Sequence, residues 1–168
     1  MNINEKERRN TMKKILFAIC ALMGLTVNVS AQGSARPISV SVECLGVEMD
    51  GSQTLRVAGE GRNRSDAREQ CKKNAVWAVI FYGVREKAGN GCDVRPLVME
   101  VNAQERYEEY FNRFFADGGP YLDYVSLRDT KRGSTEHKKD KIGATYYLTV
   151  RVLRSQLKAR LKEDNVID

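Results

Sequence analysis

Ile142-Gly143-Ala144-Thr145-Tyr146-Tyr147-Leu148-Thr149-Val150-Arg151-Val152-Leu153 reads as one long strand with two unlike faces. Ile142, Ala144, Tyr146, Leu148, Val150 and Val152 fall on one side. Thr145, Tyr147, Thr149 and Arg151 fall on the other. A period of two fits a sheet that rests one face on a core. Just beyond it, Ser155 is placed to cap a closing helix that carries Leu157 and Leu161 and fades at Glu163-Asp164-Asn165. Before it, a polar loop over residues 128–141 leads back to a third strand expected over residues 122–127.

The first half of the chain supplies a hairpin and a helix to go with that strand. Ile38, Val40, Val42 and Cys44 alternate with polar residues, and Val47-Glu48-Met49 continues them past a break at Gly46. Asp50-Gly51 is a turn dipeptide. Leu55 and Val57 lead a second strand that ends in Gly59-Glu60-Gly61. Ser65 then reads as a helix cap, with Asp66 at the favourable positive end. Ala67, Cys71, Ala75, Ala78 and Tyr82 share one helical face, and Glu69 and Lys73 form an i,i+4 pair on another. From Ala75 to Tyr82 every residue is apolar or aromatic, so this helix should be enclosed on more than one side. A second helix is expected from Asn102, with Glu105 at capping-box spacing and a stripe of Tyr107, Tyr110, Phe111, Phe114 and Phe115. Asp117-Gly118-Gly119-Pro120 ends it. The expected order is β-β-α-α-β-β-α, an α+β domain with an antiparallel or mixed sheet and helices packed on one face.

The N-terminus speaks for export. Arg8, Arg9, Lys13 and Lys14 precede an apolar run from Ile15 to Leu25, and Val29-Ser30-Ala31 offers small residues where a signal peptidase cuts. The run is short of the roughly 20 residues a spanning helix needs. Met12-Lys13-Lys14 is itself a good start for such a segment, and Ile19 before Cys20 is too large for a lipobox. We therefore expect a cleavable signal peptide over 1–31, a leader over 32–37, one domain over 38–164 and a tail over 165–168. Export implies a place in the periplasm or at the outer-membrane periphery. Removing residues 1–31 leaves 23 of 28 Lys/Arg and 20 of 22 Asp/Glu, a net charge of +3 in place of +6. So weak a balance argues against nucleic acid as a partner.

Chemistry has few places to stand. The single histidine, His137, lies in the charged run Glu136-His137-Lys138-Lys139-Asp140, which excludes zinc sites built on two histidines. Cys71 sits on an apolar helical face, where burial makes a thiol inert. Cys44, Cys71 and Cys92 leave one unpaired. The bland expectation makes Cys44 and Cys71 buried small hydrophobes. The sharper one is a disulfide between Cys71 and Cys92. Gly59-Glu60-Gly61, with Arg62 and Arg64 beside it, could aim backbone amides at an anion, but the third glycine of a dinucleotide fingerprint is missing. A tight strand-to-helix connection is the plainer account. Glu105, Glu108 and Glu109 fit a solvated helix face. No catalytic residue, metal site or cofactor is expected. The best surface is the 128–141 loop, with Arg128, Lys131, Arg132, Lys138, Lys139 and Lys141 against Asp129, Glu136 and Asp140. Such a loop suits an anionic lipid or glycan, and so a peripheral membrane contact.

Val57-Ala58-Gly59-Glu60-Gly61, Ser65-Asp66-Ala67-Arg68-Glu69, Ala75 and Ala78, and the ending from Tyr146 through Leu157 and Leu161 together resemble a bacterial envelope module. The chain is similar, over residues 53–162, to the N-terminal domain of flagellar assembly protein T and related small outer-membrane lipoproteins. Cys71 stands where such helices often carry alanine, and the lipobox is absent. The resemblance implies scaffolding or partner recruitment in the envelope, without turnover. The expected function is a protein-binding assembly or adaptor module, with anionic-ligand binding through the basic loop as the alternative and an enzyme of unrecognised class as the remote one.

Overall fold

The structure is a computed structural model that describes residues 41–84, 92–130, 136–139 and 144–168, with backbone alone at 136–139 and 144. The chain divides after Gly33, and these residues all belong to the unit Ser34–Asp168. The fold is α+β with an antiparallel sheet. Strands β1 (Val42–Val47), β2 (Gln53–Glu60), β3 (Val125–Ser126), β4 (Glu136–Lys139) and β5 (Ala144–Val152) take the order β1-β2-β5-β3, with β4 also paired to β5. The expected signal peptide and leader, and Ile38, Val40, Ile142 and Gly143, lie outside the described residues.

Register follows the alternation of apolar residues. Leu55 stands opposite Val150 and Val57 opposite Leu148, all four fully buried. The opposite face pairs Thr54 with Arg151 and Arg56 with Thr149. A bulge between Cys44 and Gly46 makes Leu45 the extra residue of β1.

Helix α1 (Arg64–Trp77) lies on the apolar face and runs on as a π turn over Ala78–Tyr82. Ala67, Cys71 and Ala75 are fully buried, and so are Val76 and Ile80 further round. What covers the outer side is aromatic. Helices α2 (Ala103–Arg106) and α3 (Glu108–Phe114) are followed by a 3-10 turn over Pro120–Tyr124. Phe115 packs 5.1 Å from Trp77, and Phe111 packs 4.8 Å from Phe81. Helix α4 (Arg154–Glu163) adds Leu157 and Leu161 to the same core.

Several local expectations change. Asn63, not Ser65, caps α1. Its backbone is extended and its side chain accepts the amide of Asp66 at 2.9 Å. The expected second helix breaks at Tyr107, which leaves helical dihedrals (φ −112°, ψ 30°), and Asn102 makes no side-chain cap. The first half of the expected third strand is the 3-10 turn, because Pro120 fixes a helical φ at its start and leaves only Val125 and Ser126 to pair. The 128–141 loop contains β4. Ser155 lies within α4 and donates to the Asp50 carbonyl at 2.9 Å. The expected tail carries Val166 into the core.

Strand and helix come into close backbone contact at Gly59. A Cβ there would stand 2.4 Å from the Ala67 carbonyl oxygen and 2.7 Å from the Cys71 amide nitrogen. Gly59→Ala should therefore cost about 3 kcal/mol or more in urea unfolding. Gly46→Ala, with nothing within 4 Å of its Cβ, should cost within about 1 kcal/mol.

Candidate functional site

Strand β1 closes one side of the sheet and has no strand on its outer side among the described residues. The bulge decides which side chains line this edge. Cys44 turns into the core, whereas Leu45 and Val47 are 46% and 42% exposed. Met49, in the turn that follows, is fully exposed. Gly51 takes φ +80° there, its amide donates to the Glu48 carbonyl at 2.9 Å, and Asp50 accepts the amide and hydroxyl of Ser52. Those hydrogen bonds hold the Asp50 carboxyl below its ordinary value. The turn is thus rigidly built, and its apolar residue faces solvent.

The open sheet face next to this edge is polar and internally paired. Arg56 reaches Glu43 at 3.2 Å and lies 4.7 Å over the Tyr147 ring. Arg151 grips Asp129 with two bonds, at 2.6 and 3.0 Å, and reaches Glu48 at 3.3 Å. The Asp129 hydrogen bond, ahead of opposing desolvation, holds Arg151 above its ordinary pKa. Charge on this face is therefore largely answered from within the fold.

The expected basic surface is only partly brought together. Arg128 is exposed, its amide donating to Ser126 Oγ at 3.4 Å. Lys138 and Lys139 lie in β4, in register with Thr145 and Ala144, and His137 pairs with Tyr146. Lys131, Arg132 and Lys141 lie outside the described residues. Glu105, Glu108 and Glu109 are exposed on α2 and α3.

The Gly59-Glu60-Gly61 connection borders a hollow of about 470 Å³, but its charge is wrong for an anion. Glu60, Asp66, Glu69 and Asp117 line it against Arg62 and Lys73, and Lys73 is bound to Asp117 at 2.6 Å. Gly61 meets the Ala67 amide nitrogen at 2.4 Å from its would-be Cβ. Close packing accounts for both glycines.

The expected Cys71–Cys92 disulfide is corrected: Cys44 pairs with Cys92, and Cys71 is the buried free thiol. Helix α1 turns Cys71 onto β5, where Sγ lies 3.5 Å from the Tyr146 carbonyl oxygen. That position is committed to the sheet face, while β1 carries Cys44 to the segment that follows residue 91. Alternation marks Cys44 as inward, but no local signal names its partner. Burial pushes the Cys71 thiol up to about 12. Among the described residues no three His, Cys, Asp or Glu side chains gather to hold a metal, and no helix is long and apolar enough to cross a membrane. No family model, curated protein or solved structure matches the chain.

Two outcomes follow from the cysteines. Reduction of Cys44–Cys92, which closes 48 residues, should lower stability by about 4 kcal/mol. Non-reducing peptide mapping should find that pair, with Cys71 labelled only after unfolding. A raised thiol pKa also sets a sign. The unfolded chain ionises from its ordinary value of 9.0, and the folded chain does so only near 12. Stability should be full below about pH 9 and fall as pH rises toward 12, and Cys71→Ala should lessen that fall in chemical-denaturation curves.

Proposed function

We propose that this chain is an exported, non-catalytic envelope module that recruits a partner protein through the open edge of β1. The carrying observation is that edge, lined by exposed Leu45, Val47 and Met49. An unpaired strand presents free amides and carbonyls at the spacing of a sheet, and folded proteins commonly blunt such edges with charge or proline. Here Glu43 and Glu48 are exposed as well, but both are drawn to arginines of the same sheet, Arg56 and Arg151, which leaves Leu45, Val47 and Met49 as the apolar contacts for an extended partner segment that adds a strand.

Two further features support the setting. Arg8, Arg9, Lys13 and Lys14, the apolar run and Val29-Ser30-Ala31 suit cleavage after Ala31. The Cys44–Cys92 disulfide suits an oxidising compartment outside the cytosol. The resemblance to the N-terminal module of flagellar assembly protein T points the same way, as an analogy of fold.

The test is affinity capture of the tagged chain, expressed in its own source, from gently solubilised envelopes at low and moderate salt. The expected result is a defined envelope protein retained at both salts and lost with Leu45→Lys/Val47→Lys, while the melting midpoint stays within about 3 °C. A partner that the double variant retains would refute the edge. Export is checked separately: the recovered chain should begin at Gln32, and an intact N-terminus at Met1 or Met12 would refute it.

A further inference from the structure

Residues 95–100, the first turns of α4 and the last residues of the chain line an open groove of about 630 Å³, within the roughly 300–1,000 Å³ of small-ligand sites. Its electrostatics are unusual for a helix start. Helix α4 opens on Arg154, has no acidic residue in its first turn, and draws no side-chain cap from Leu153. The N-terminal end of a helix carries positive partial charge, so a cation placed there is disfavoured by the fold and an anion is welcomed.

Arg154 is also short of partners. Its Nη2 donates to the Arg95 carbonyl at 3.0 Å, but Nε is shut off from solvent with no acceptor among the described residues. Desolvation lowers its pKa, the direction expected of a guanidinium held away from water and from carboxylates. Lys158, one turn on, and Arg95 both line the groove and make no ion pair among the described residues. Arg106 is answered by Glu100 at 2.9 Å, and Asp168 lies along the groove without closing an ion pair. A cleft with an excess of one sign of charge concentrates the opposite ion. Its walls are not wholly polar. Leu97, Val98 and Val166 are buried beneath it, and Met99 stands 72% exposed on it.

We propose that this groove binds an oxyanion carried on an apolar chain, the head held by Arg154, Lys158 and Arg95 and the chain lying along Pro96, Met99 and Ile167. The head is a carboxylate or a phosphate, the two oxyanions whose geometry a guanidinium matches. This site is separate from the β1 edge and does not depend on its having a partner.

The experiment is isothermal titration of the full chain with dodecanoate and with dodecyl phosphate, each below its micellar range. Inorganic phosphate and dodecyl maltoside serve as head-only and tail-only probes. Saturable binding of at least one dodecyl anion is expected, with both partial probes weaker by about tenfold or more. Whichever head binds more tightly identifies the source, a free fatty acid or a lipid phosphate. Lys158→Glu, at an exposed position, should weaken that binding by about tenfold or more while leaving the melting midpoint in place. Arg154→Met should do the same, and Lys158→Glu keeps the test decisive if Arg154→Met unfolds the chain. Failure of both dodecyl anions to bind would overturn the proposal. So would equal binding of either partial probe, or dodecyl-anion binding that Lys158→Glu leaves unchanged.

Discussion

At residue 59 the backbone of β2 and the backbone of α1 approach until there is no room for a methyl group. The would-be Cβ of Gly59 meets the Ala67 carbonyl oxygen and both the amide and sulfur of Cys71. Everything above the sheet inherits its height and rotation from this contact. With α1 pressed so low, Asn74 can donate to the Ala58 carbonyl at 2.9 Å from a buried position, and Gln70 donates to Asn74 Oδ1 at 2.8 Å. The bond from Asn74 to Ala58 ties the helix to β2 along its axis, and the Gln70 bond, made within α1, satisfies the other end of that buried amide. The small residues Ala67, Cys71 and Ala75 are then a requirement of spacing. Larger ones would lift the helix off Leu55, Val57 and Leu148.

A helix held that close cannot reach far enough to close the core alone, and the outer layer does so with phenols and carboxylates. Tyr121 is fully buried and hydrogen-bonds Glu69, which Lys72 reaches at 2.7 Å. Tyr110 donates to Asp164 at 2.7 Å, and Arg160 reaches the same carboxylate. Both phenols lie above their ordinary pKa, by burial first and by the carboxylate second. Burial works against Glu69, yet the hydrogen bonds from Lys72 and Tyr121 outweigh it and leave it below the ordinary value. The signs oppose each other usefully. Carboxylates held low contribute stability that is lost as pH falls through their folded values, and a thiol and phenols held high contribute stability that is lost as pH rises. The fold is therefore at its most stable between those limits.

How much of this could be read from residues alone depended on range. The alternation in β5 and β2 and the enclosed stretch from Ala75 to Ile80 were legible, because each reports a burial pattern repeated within one element, whereas Tyr82, expected on the same buried face, is 56% exposed. The glycines at 59 and 61 were legible as close packing. Capping was not, since Asn63, Ser65 and Ser155 are chemically similar and only the backbone angle at each decides which one caps. The third strand was read too long because Leu122 and Tyr124 alternate as a strand would, while Pro120 upstream turns the chain through Tyr124 into a 3-10 helix. The disulfide and the Arg154 groove were out of reach for the same reason. Each joins segments dozens of residues apart, and Arg154 looks like an ordinary surface cation until its Nε is seen to be walled in.

The two surfaces to which we assign binding are mechanically one circuit. Cys44 of β1 is bonded to Cys92, and Val94 then pairs with Val84 through amide–carbonyl bonds of 3.0 and 3.1 Å. Leu97 and Val98 donate to the carbonyls of Val79 and Ile80, groups that the π turn leaves for an outside donor. The segment that walls the groove is thereby pinned at both ends. Its Arg95 carbonyl accepts Arg154, and the next residue of α4, Ser155, returns to the Asp50 carbonyl in the turn after β1. Strand edge, disulfide, groove wall, helix start and hairpin turn form a closed loop of covalent and hydrogen bonds. An anion that drew Arg154 outward would load the Arg95 and Ser155 bonds together, and through them the turn that presents Met49. A connected set of bonds couples two sites only where a ligand at one changes the contacts at the other, and these few named bonds are where such a change would have to be made.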